Sequence, residues 1–115
     1  DGNKAIYFGN EAKGDLDGDG LEDTAFLVTS DRKGSGTFYY AVVALRTPEG
    51  YKLTNPILVG DRIAPQSSYI PRNSRELQIN YAERKQGEPM TTPPSQGVVL
   101  LLKVTKAGIL EGLMK

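Results

Sequence analysis

Turn residues divide this chain into short β-prone runs, and that division limits the folds it can adopt. Thirteen Gly and seven Pro occur in the 115 residues, mostly between runs rich in Val, Ile, Leu, Tyr and Thr. The runs recur about every 8 to 15 residues, which is typical of antiparallel all-β domains. The sequence shows no sustained period of the kind that an amphipathic helix requires. The spacing therefore predicts an all-β fold, an antiparallel meander or sandwich of about seven to eight strands.

The predicted strands differ in the polarity of their two faces. Residues 37–46 (TFYYAVVALR) are apolar on both faces, so we expect them to be buried on both sides in the middle of a sheet. Residues 76–83 alternate between apolar and polar, which predicts a strand with one buried face and one solvent-exposed face. Pro65 interrupts a weaker strand at 63–70, which belongs at an edge or a bulge. The other predicted strands are 4–8, 24–29, 97–105, 109–113, and one broken at Asn55-Pro56 into 51–53 and 57–59.

Length and composition restrict both the domain organisation and the chemistry. The chain has the length of one domain, so we treat residues 1–115 as a single β domain. It contains no His, Cys or Trp. Those absences exclude Ser-His-Asp and Cys-His nucleophile pairs, thiolate chemistry, haem, iron–sulfur clusters and the usual zinc sites. A metal ion would have to be a hard cation held by oxygen atoms.

Charge and hydropathy argue against two classes of partner. The net charge is zero, which is unfavourable for general binding to nucleic acid or to an anionic membrane surface. The longest apolar run, residues 98–102, falls far short of the roughly 20 residues of a transmembrane helix. The sequence therefore predicts no nucleic-acid partner and no transmembrane segment in this chain.

The acidic residues are concentrated near the start of the chain. Residues 1–30 carry seven acidic and two basic side chains, a net charge of −5, and residues 31–115 carry +5. Five of the fourteen acids fall between residues 15 and 23, with no base among them. Like charges this close together are costly unless something neutralises them. A bound cation would do so, whereas a solvated acidic turn is the alternative.

The acidic segment, residues 14–23 (GDLDGDGLED), has the spacing of a calcium loop. Asp15, Asp17 and Asp19 occupy alternate positions, from which three carboxylates converge if the backbone coils around one point. Gly20 permits the sharp turn that such coiling demands. The carbonyl oxygen of Leu21 and the carboxylate of Asp23 would complete the ligand set, and Glu22 would point outward. We therefore predict a Ca²⁺ site made by Asp15, Asp17, Asp19, Leu21 and Asp23.

Two comparisons of spacing refine the calcium prediction. An EF-hand places a bidentate Glu at position 12 of its loop, but that position here is Phe26, inside a predicted strand. The loop instead resembles the nine-residue calcium loops of FG-GAP repeats and integrin-type propellers, and that resemblance implies the same ligands. Mg²⁺ is less suitable because it prefers to keep several waters. A single loop without the bidentate Glu should bind modestly and fill where calcium is millimolar.

A second resemblance extends over residues 9 to 105. The segments GNEAKGDLDGDGLEDTAFLVTSDRKGSGTFYYAVVAL, VGDRIAPQS and NYAERKQGEPMTTPPS are similar, in order and spacing, to a family of small uncharacterised bacterial exported proteins, many of them apparent lipoproteins. In that family the mature domain follows a signal peptide. The resemblance implies an extracytoplasmic location, periplasmic or at the cell surface, with a lipid anchor in the lipoproteins. It implies no activity.

These observations lead to two functional hypotheses. The first is an extracytoplasmic calcium-binding β module, in which calcium is structural and the partner is an envelope protein or polysaccharide. The second is a carboxylate-based hydrolase acting on an extracellular polymer. A hydrolase would need a cleft that joins the acidic loop to a second cluster around Asp61, Arg62 and Glu83. The Pro-bearing loop at residues 87–95 is a further candidate binding segment. We assign no catalytic residue.

Overall fold

The computed structural model describes residues 5–32, 36–89 and 91–113, apart from the side chain of residue 32, and these residues form two antiparallel sheets without a helix. The all-β prediction is confirmed, with nine strands in the described ranges. No described segment is a helix long and apolar enough to cross a membrane. The strands are β1 (Ala5–Gly14), β2 (Asp23–Arg32), β3 (Gly36–Thr47), β4 (Gly50–Leu53), β5 (Ile57–Asp61), β6 (Ala64–Tyr69), β7 (Glu76–Glu83), β8 (Gln96–Val104) and β9 (Leu110–Gly112).

The first sheet, here called the front sheet, contains β1 to β5. Its order is β1-β2-β3-β4, and β5 pairs with the same side of β3 as β4 does. The segment between β4 and β5 stays on β3 because Thr54 and Val43 exchange two hydrogen bonds. The Thr54 N–H donates to the Val43 carbonyl at 2.9 Å, and the Val43 N–H donates to Thr54 Oγ1 at 3.0 Å. The prediction of one strand interrupted at Asn55-Pro56 is confirmed.

The second sheet, here called the back sheet, is a meander with the order β6-β7-β8-β9. The alternating segment Glu76–Glu83 forms β7 with the predicted bounds. β6 lies at the edge of the sheet, and its register with β7 shifts between Pro65 and Ser67. This edge position with a bulge confirms the prediction from Pro65, which cannot donate to the ladder.

The two sheets pack on one shared core, so the fold is a sandwich. The front sheet contributes Leu27, Val43 and Leu45, and the back sheet contributes Leu77 and Leu102, all at most 5% exposed. Alternate residues of each strand point into this core. Residue 16, in the loop after β1, also belongs to the core cluster.

The environment of β3 differs from its prediction in one respect. β3 lies in the middle of the front sheet, between β2 on one side and β4 and β5 on the other, as expected. Burial on both faces is only partly realised, because on the outer face Val42 is buried but its neighbours are not. Ala41, Val43 and Leu45 enter the core, but Tyr40 on the opposite face is only half-buried. The fold has two layers, and nothing among the described residues covers the outer face of the front sheet.

The first strand is longer than the predicted 4–8 and reaches Gly14. It passes through positive φ at Gly9 and Asn10, and its register with β2 shifts twice there. Gly-Asn predicts a turn, but here the two residues form bulges within a continuing strand. The polar, glycine-rich segment at residues 30–36 predicts a hairpin loop between β2 and β3, and its tip, residues 33–35, lies outside the described residues.

Candidate metal centre

The acidic loop joins β1 to β2 at one end of the sandwich. Leu16 anchors it, since this side chain is 1% exposed and packs in the core. Residues 17–20 are exposed, so the loop leads from this buried base to the solvent. We call residues 15–20 the acidic arc. The sequence predicts this arrangement, because an apolar residue inside an acidic loop needs a core to bury it.

The carboxylates of Asp15, Asp17 and Asp19 converge. Each can offer one oxygen such that the three oxygens lie within 4.8 Å of one another. Asp15 is half-buried, and the other two are exposed. The alternate spacing read from the sequence is therefore realised as a group that could hold a metal ion.

Backbone N–H groups hold these carboxylates in place. Asp15 accepts from Gly18 and from Gly20, each at 2.8 Å, one on each oxygen. Asp17 accepts from the N–H of Asp19 at 3.3 Å, and Asp19 accepts from Leu21 at 2.9 Å. The coil needs left-handed backbone at Gly18 and Gly20, with φ of +80° and +85°. Glycine adopts this conformation without the cost that a Cβ imposes.

Desolvation and hydrogen bonds within the loop shift the pKa values of two aspartates. Desolvation, together with the neighbouring side chain of Asp19, raises the pKa of Asp17 to about 6. Asp15 responds in the opposite sense. Desolvation acts to raise its pKa, but hydrogen bonds from the N–H groups of Gly20 and Gly18 outweigh that effect and lower it. The arc therefore holds one carboxylate stabilised as an anion beside one that resists ionisation.

Asp23 lies outside the convergent group and is fully buried. Its Oδ2 accepts from the N–H of Leu16 at 2.8 Å, and its Oδ1 accepts from the N–H of Arg46 at 2.9 Å. It therefore ties both ends of the loop to each other and to the end of β3. Each oxygen keeps a lone pair, so the predicted ligand role of Asp23 stays a prediction beside this structural one.

Two other predicted positions have simpler surroundings. Leu21 is half-buried and donates its N–H to Asp19, and its predicted carbonyl ligand role also stays a prediction. Glu22 is exposed, in keeping with its predicted outward position. The convergent group thus comprises the first three of the five predicted ligands.

Basic side chains of the β6–β7 connection and of β8 lie beside the acidic loop, a feature that the sequence did not reveal. The guanidinium of Arg75 lies over Gly18, where an added Cβ would come within 2.6 Å of its Cζ. Arg75 also lines two grooves beside the loop, of about 370 and 570 Å³, together with Lys103 in one and Arg72 in the other. Within the described part of the chain, Arg75 forms no ion pair with the aspartates. No local signal marked it, because more than fifty residues separate it from the loop.

The second cluster that a hydrolase would need lies elsewhere. Asp61 pairs in register with Phe38 at the start of β3, whereas the acidic loop adjoins the β2 residue Thr24, which pairs with Ala44. Six residues of strand separate these levels, about 20 Å. Asp61 instead pairs with Arg62 at 3.0 Å. Neither groove beside the loop is lined by Asp61, Arg62 or Glu83.

The long loop lies with that second cluster, at the end opposite the acidic loop. Its start is fixed by Arg84, whose guanidinium donates to the Thr92 carbonyl at 2.7 Å and to the Arg62 carbonyl at 2.9 Å. The candidate binding segment at 87–95, of which residue 90 is not described, is therefore remote from the metal centre.

Comparison with models of protein families, with curated proteins and with solved structures finds no match for this chain.

Proposed function

We propose that this chain is an extracytoplasmic calcium-binding β-sandwich module in which the ion stabilises the loop between β1 and β2. The convergence of Asp15, Asp17 and Asp19 carries this proposal. Three carboxylate oxygens within 4.8 Å of one another repel each other in the absence of a cation. Desolvation, the hydrogen bond with Asp19 and, to a smaller degree, the charges of Asp23 and Asp19 raise the pKa of Asp17. A divalent ion converts the repulsion into attraction.

The hydrogen bonds within the arc leave room for coordination. A carboxylate oxygen that accepts one N–H retains a second lone pair, so Asp15 can hold its backbone partners and still face an ion. Ca²⁺ takes six to eight oxygens in flexible geometry, whereas Mg²⁺ demands a near-ideal octahedron. A group assembled on a coiled loop suits calcium better. In the proposed site the Leu21 carbonyl and Asp23 add to the three aspartates.

The exposure of the arc supports an extracytoplasmic setting and an external partner. Asp17 and Asp19 are exposed, so water competes with them and the affinity should suit millimolar calcium, as found outside the cytoplasm. Water, or an oxygen from an envelope protein or polysaccharide, would fill the coordination positions that the loop leaves open. In this proposal calcium has a structural role, and the partner binds at the open arc.

Thermal unfolding in EDTA, in calcium and in magnesium tests the proposal. An ion at a hundredfold over its dissociation constant stabilises the folded chain by about 2.7 kcal/mol. For a domain of this size that corresponds to a rise of about 10 °C in the unfolding midpoint. We expect this rise with calcium and a much smaller one with magnesium.

Two variants of the loop provide the matched comparison. Asp19→Asn removes one charge from the convergent group at nearly constant volume and should abolish the calcium-dependent rise. Glu22→Gln removes an equal charge from an exposed neighbour and should leave the rise almost intact. Equal loss in both variants would show a diffuse charge effect rather than coordination, and no rise in the unsubstituted chain would overturn the proposal.

A further inference from the structure

The outer face of the front sheet carries an apolar surface that the metal proposal does not use. Tyr7, Val28, Tyr40 and Leu58 are paired in register across four strands, so their side chains form one continuous row. In the next row along the strands, Phe26 pairs with Val42, and the ring of Tyr7 contacts that of Phe26 with centroids 5.4 Å apart. We call these six side chains the apolar face.

The register shows that this face points away from the core. Ala25 and Leu27 belong to the core cluster, so their neighbours Phe26 and Val28 point outward. Tyr7 and Leu58 are each 56% exposed, and Leu53, beyond the second row, is 64% exposed. Val42 is 7% exposed because its larger neighbours cover it.

The back sheet provides an internal comparison. Its outward positions on β7 include Gln78 and Asn80, and Asn80 donates to Ser67 across the sheet at 2.9 Å. Val99 and Leu101 on β8 and Tyr69 on β6 share this outer face with them, so polar and apolar side chains are mixed on it. The two rows of the front sheet instead contain only tyrosine, phenylalanine, valine and leucine. An apolar patch of this extent is typical of an interaction surface.

The outer face of the front sheet, with the apolar face at its centre, reaches the lower size limit of a specific interface. The row from Tyr7 to Leu58 spans three interstrand distances, so the face is about 19 Å wide once side-chain width is included. Along β3, the eight residue steps from Phe38 to Arg46 cover about 26 Å. This area of about 500 Å² per copy is that of the whole outer face of the front sheet, with the apolar face at its centre and Asp61, Lys13 and Arg46 toward its ends. A pair that used all of it would bury about 1,000 Å², the lower limit for a specific interface.

We propose that the apolar face binds a second copy of this chain, sheet against sheet, around a two-fold axis. Identical flat apolar surfaces match each other, as an isologous interface requires. The six side chains of the apolar face are uncharged, Glu11 beside Tyr7 is an acid at its β1 edge, and the chain has no net charge, so long-range repulsion between copies is small. The dimer would consist of four stacked sheets, with the two front sheets in the middle at the usual spacing of about 10 Å.

The composition of the face favours this occupant over two others. A glycan site needs several polar side chains beside its aromatic rings, whereas the six side chains contribute two tyrosine hydroxyls, of which that of Tyr7 donates to Glu11 at the β1 edge. A membrane surface favours a rim of several basic side chains, whereas Lys13 and Arg46 are the basic side chains at the end of this face within the described residues.

Sedimentation equilibrium from micromolar to millimolar protein, in EDTA and in calcium, tests the proposal. We expect the unsubstituted chain to reach twice the monomer mass in both conditions. Leu58→Lys places a charge on the apolar face and Leu53→Lys places one beside its second row, and each should keep the chain monomeric over the same range. Val99→Lys is the matched control, because Val99 is an exposed residue on the outer side of the back sheet, and it should dimerise normally. Far-UV circular dichroism checks the fold of each variant.

Each result of these measurements either supports the dimer or overturns it. Dimerisation that is lost in Leu58→Lys and kept in Val99→Lys supports the proposal, whatever calcium does to stability. A monomer at all concentrations overturns it, and in that case binding to phosphatidylcholine vesicles that Leu58→Lys abolishes would identify a lipid as the occupant. A dimer that persists unchanged in both Leu58→Lys and Leu53→Lys overturns it as well, since another surface would then be responsible.

Discussion

Asp23→Asn distinguishes the structural use of a buried carboxylate from metal binding. Asp23 is fully buried, and its two oxygens accept the N–H groups of Leu16 and Arg46. Each hydrogen bond to a charged acceptor contributes about 1.5–3 kcal/mol net. Asparagine keeps one accepting oxygen but turns an NH₂ group toward the other donor, so one bond is lost.

We therefore expect Asp23→Asn to lower the free energy of unfolding by about 2 kcal/mol in EDTA, and Asp23→Ala by about 4 kcal/mol, because alanine leaves both N–H groups without their acceptor. Urea unfolding at pH 7, followed by far-UV circular dichroism, should show the midpoint of Asp23→Asn lowered by about 1 M. Glu22→Gln is the control, since this neighbour is exposed, and surface substitutions usually change stability by about 0.5 kcal/mol or less.

The comparison between EDTA and calcium completes the test. If Asp23 also coordinates the ion, as the sequence predicts, Asp23→Asn should reduce the increment that calcium adds as well as the stability in EDTA. An Asp23→Asn variant with unchanged stability in EDTA would refute the reasoning from its two hydrogen bonds. Its carboxylate would then matter only for the ion.

Three further predictions concern other parts of the chain. The pKa of Asp17 is raised to about 6, so its ionisation lowers the stability of the fold as pH rises through that value. Asp17→Asn should therefore raise the free energy of unfolding in EDTA at pH 7 by about 1 kcal/mol after discount for solvent screening. Calcium affinity measured by calorimetry should fall as pH drops through about 6, because protons compete with the ion for Asp17. Gly20→Ala should cost about 1–2 kcal/mol in urea unfolding because φ is +85°, whereas Gly97→Ala, in β8 with open space around it, should change stability little. Arg84→Gln should speed tryptic cleavage after Lys85, since Arg84 fixes the loop through the Thr92 carbonyl; Arg72→Gln, an exposed arginine, should not.

Much of the fold could be predicted because local patterns agreed with the tertiary structure. β7 has its predicted bounds because one face is buried and the other wet, so the alternation is complete. The front-sheet edge is interrupted at Pro56 as expected, since proline cannot donate to β3. β1 was predicted too short, because Gly9 and Asn10 resemble a turn when read locally, and only pairing with β2 carries the strand through them.

The part of the candidate site that depends on local sequence could also be predicted. The spacing of Asp15, Asp17 and Asp19 is a local pattern, and the convergence of their carboxylates follows from a local coil. The hydrogen bond from Arg46 to Asp23 and the position of Arg75 over Gly18 join residues that are distant in sequence. Such contacts depend on how β3 and the back sheet pack, which no local pattern records.

The outer face of β3 shows how a correct pattern can carry a wrong conclusion. Its residues are apolar on both faces, and burial by a third layer was the natural interpretation. The fold has two layers, so Tyr40 and its row reach the surface. The same pattern is equally the signal of an intermolecular interface, because a second chain can supply the missing layer.

The ends of the sheets bear on how this protein avoids fibre formation. Each outermost strand lacks a long regular ladder of free N–H and C=O groups: β1 is bulged at Gly9, the β4–β5 side is broken at Pro56, β6 contains Pro65, and β9 has three residues. An invading strand would therefore find no uninterrupted template on the β1, β4–β5 and β6 sides, where amyloid-like growth by backbone pairing is discouraged. On the fourth side β9 pairs only with the end of β8, so residues 96–100 of β8 form the longest regular free edge of the described strands.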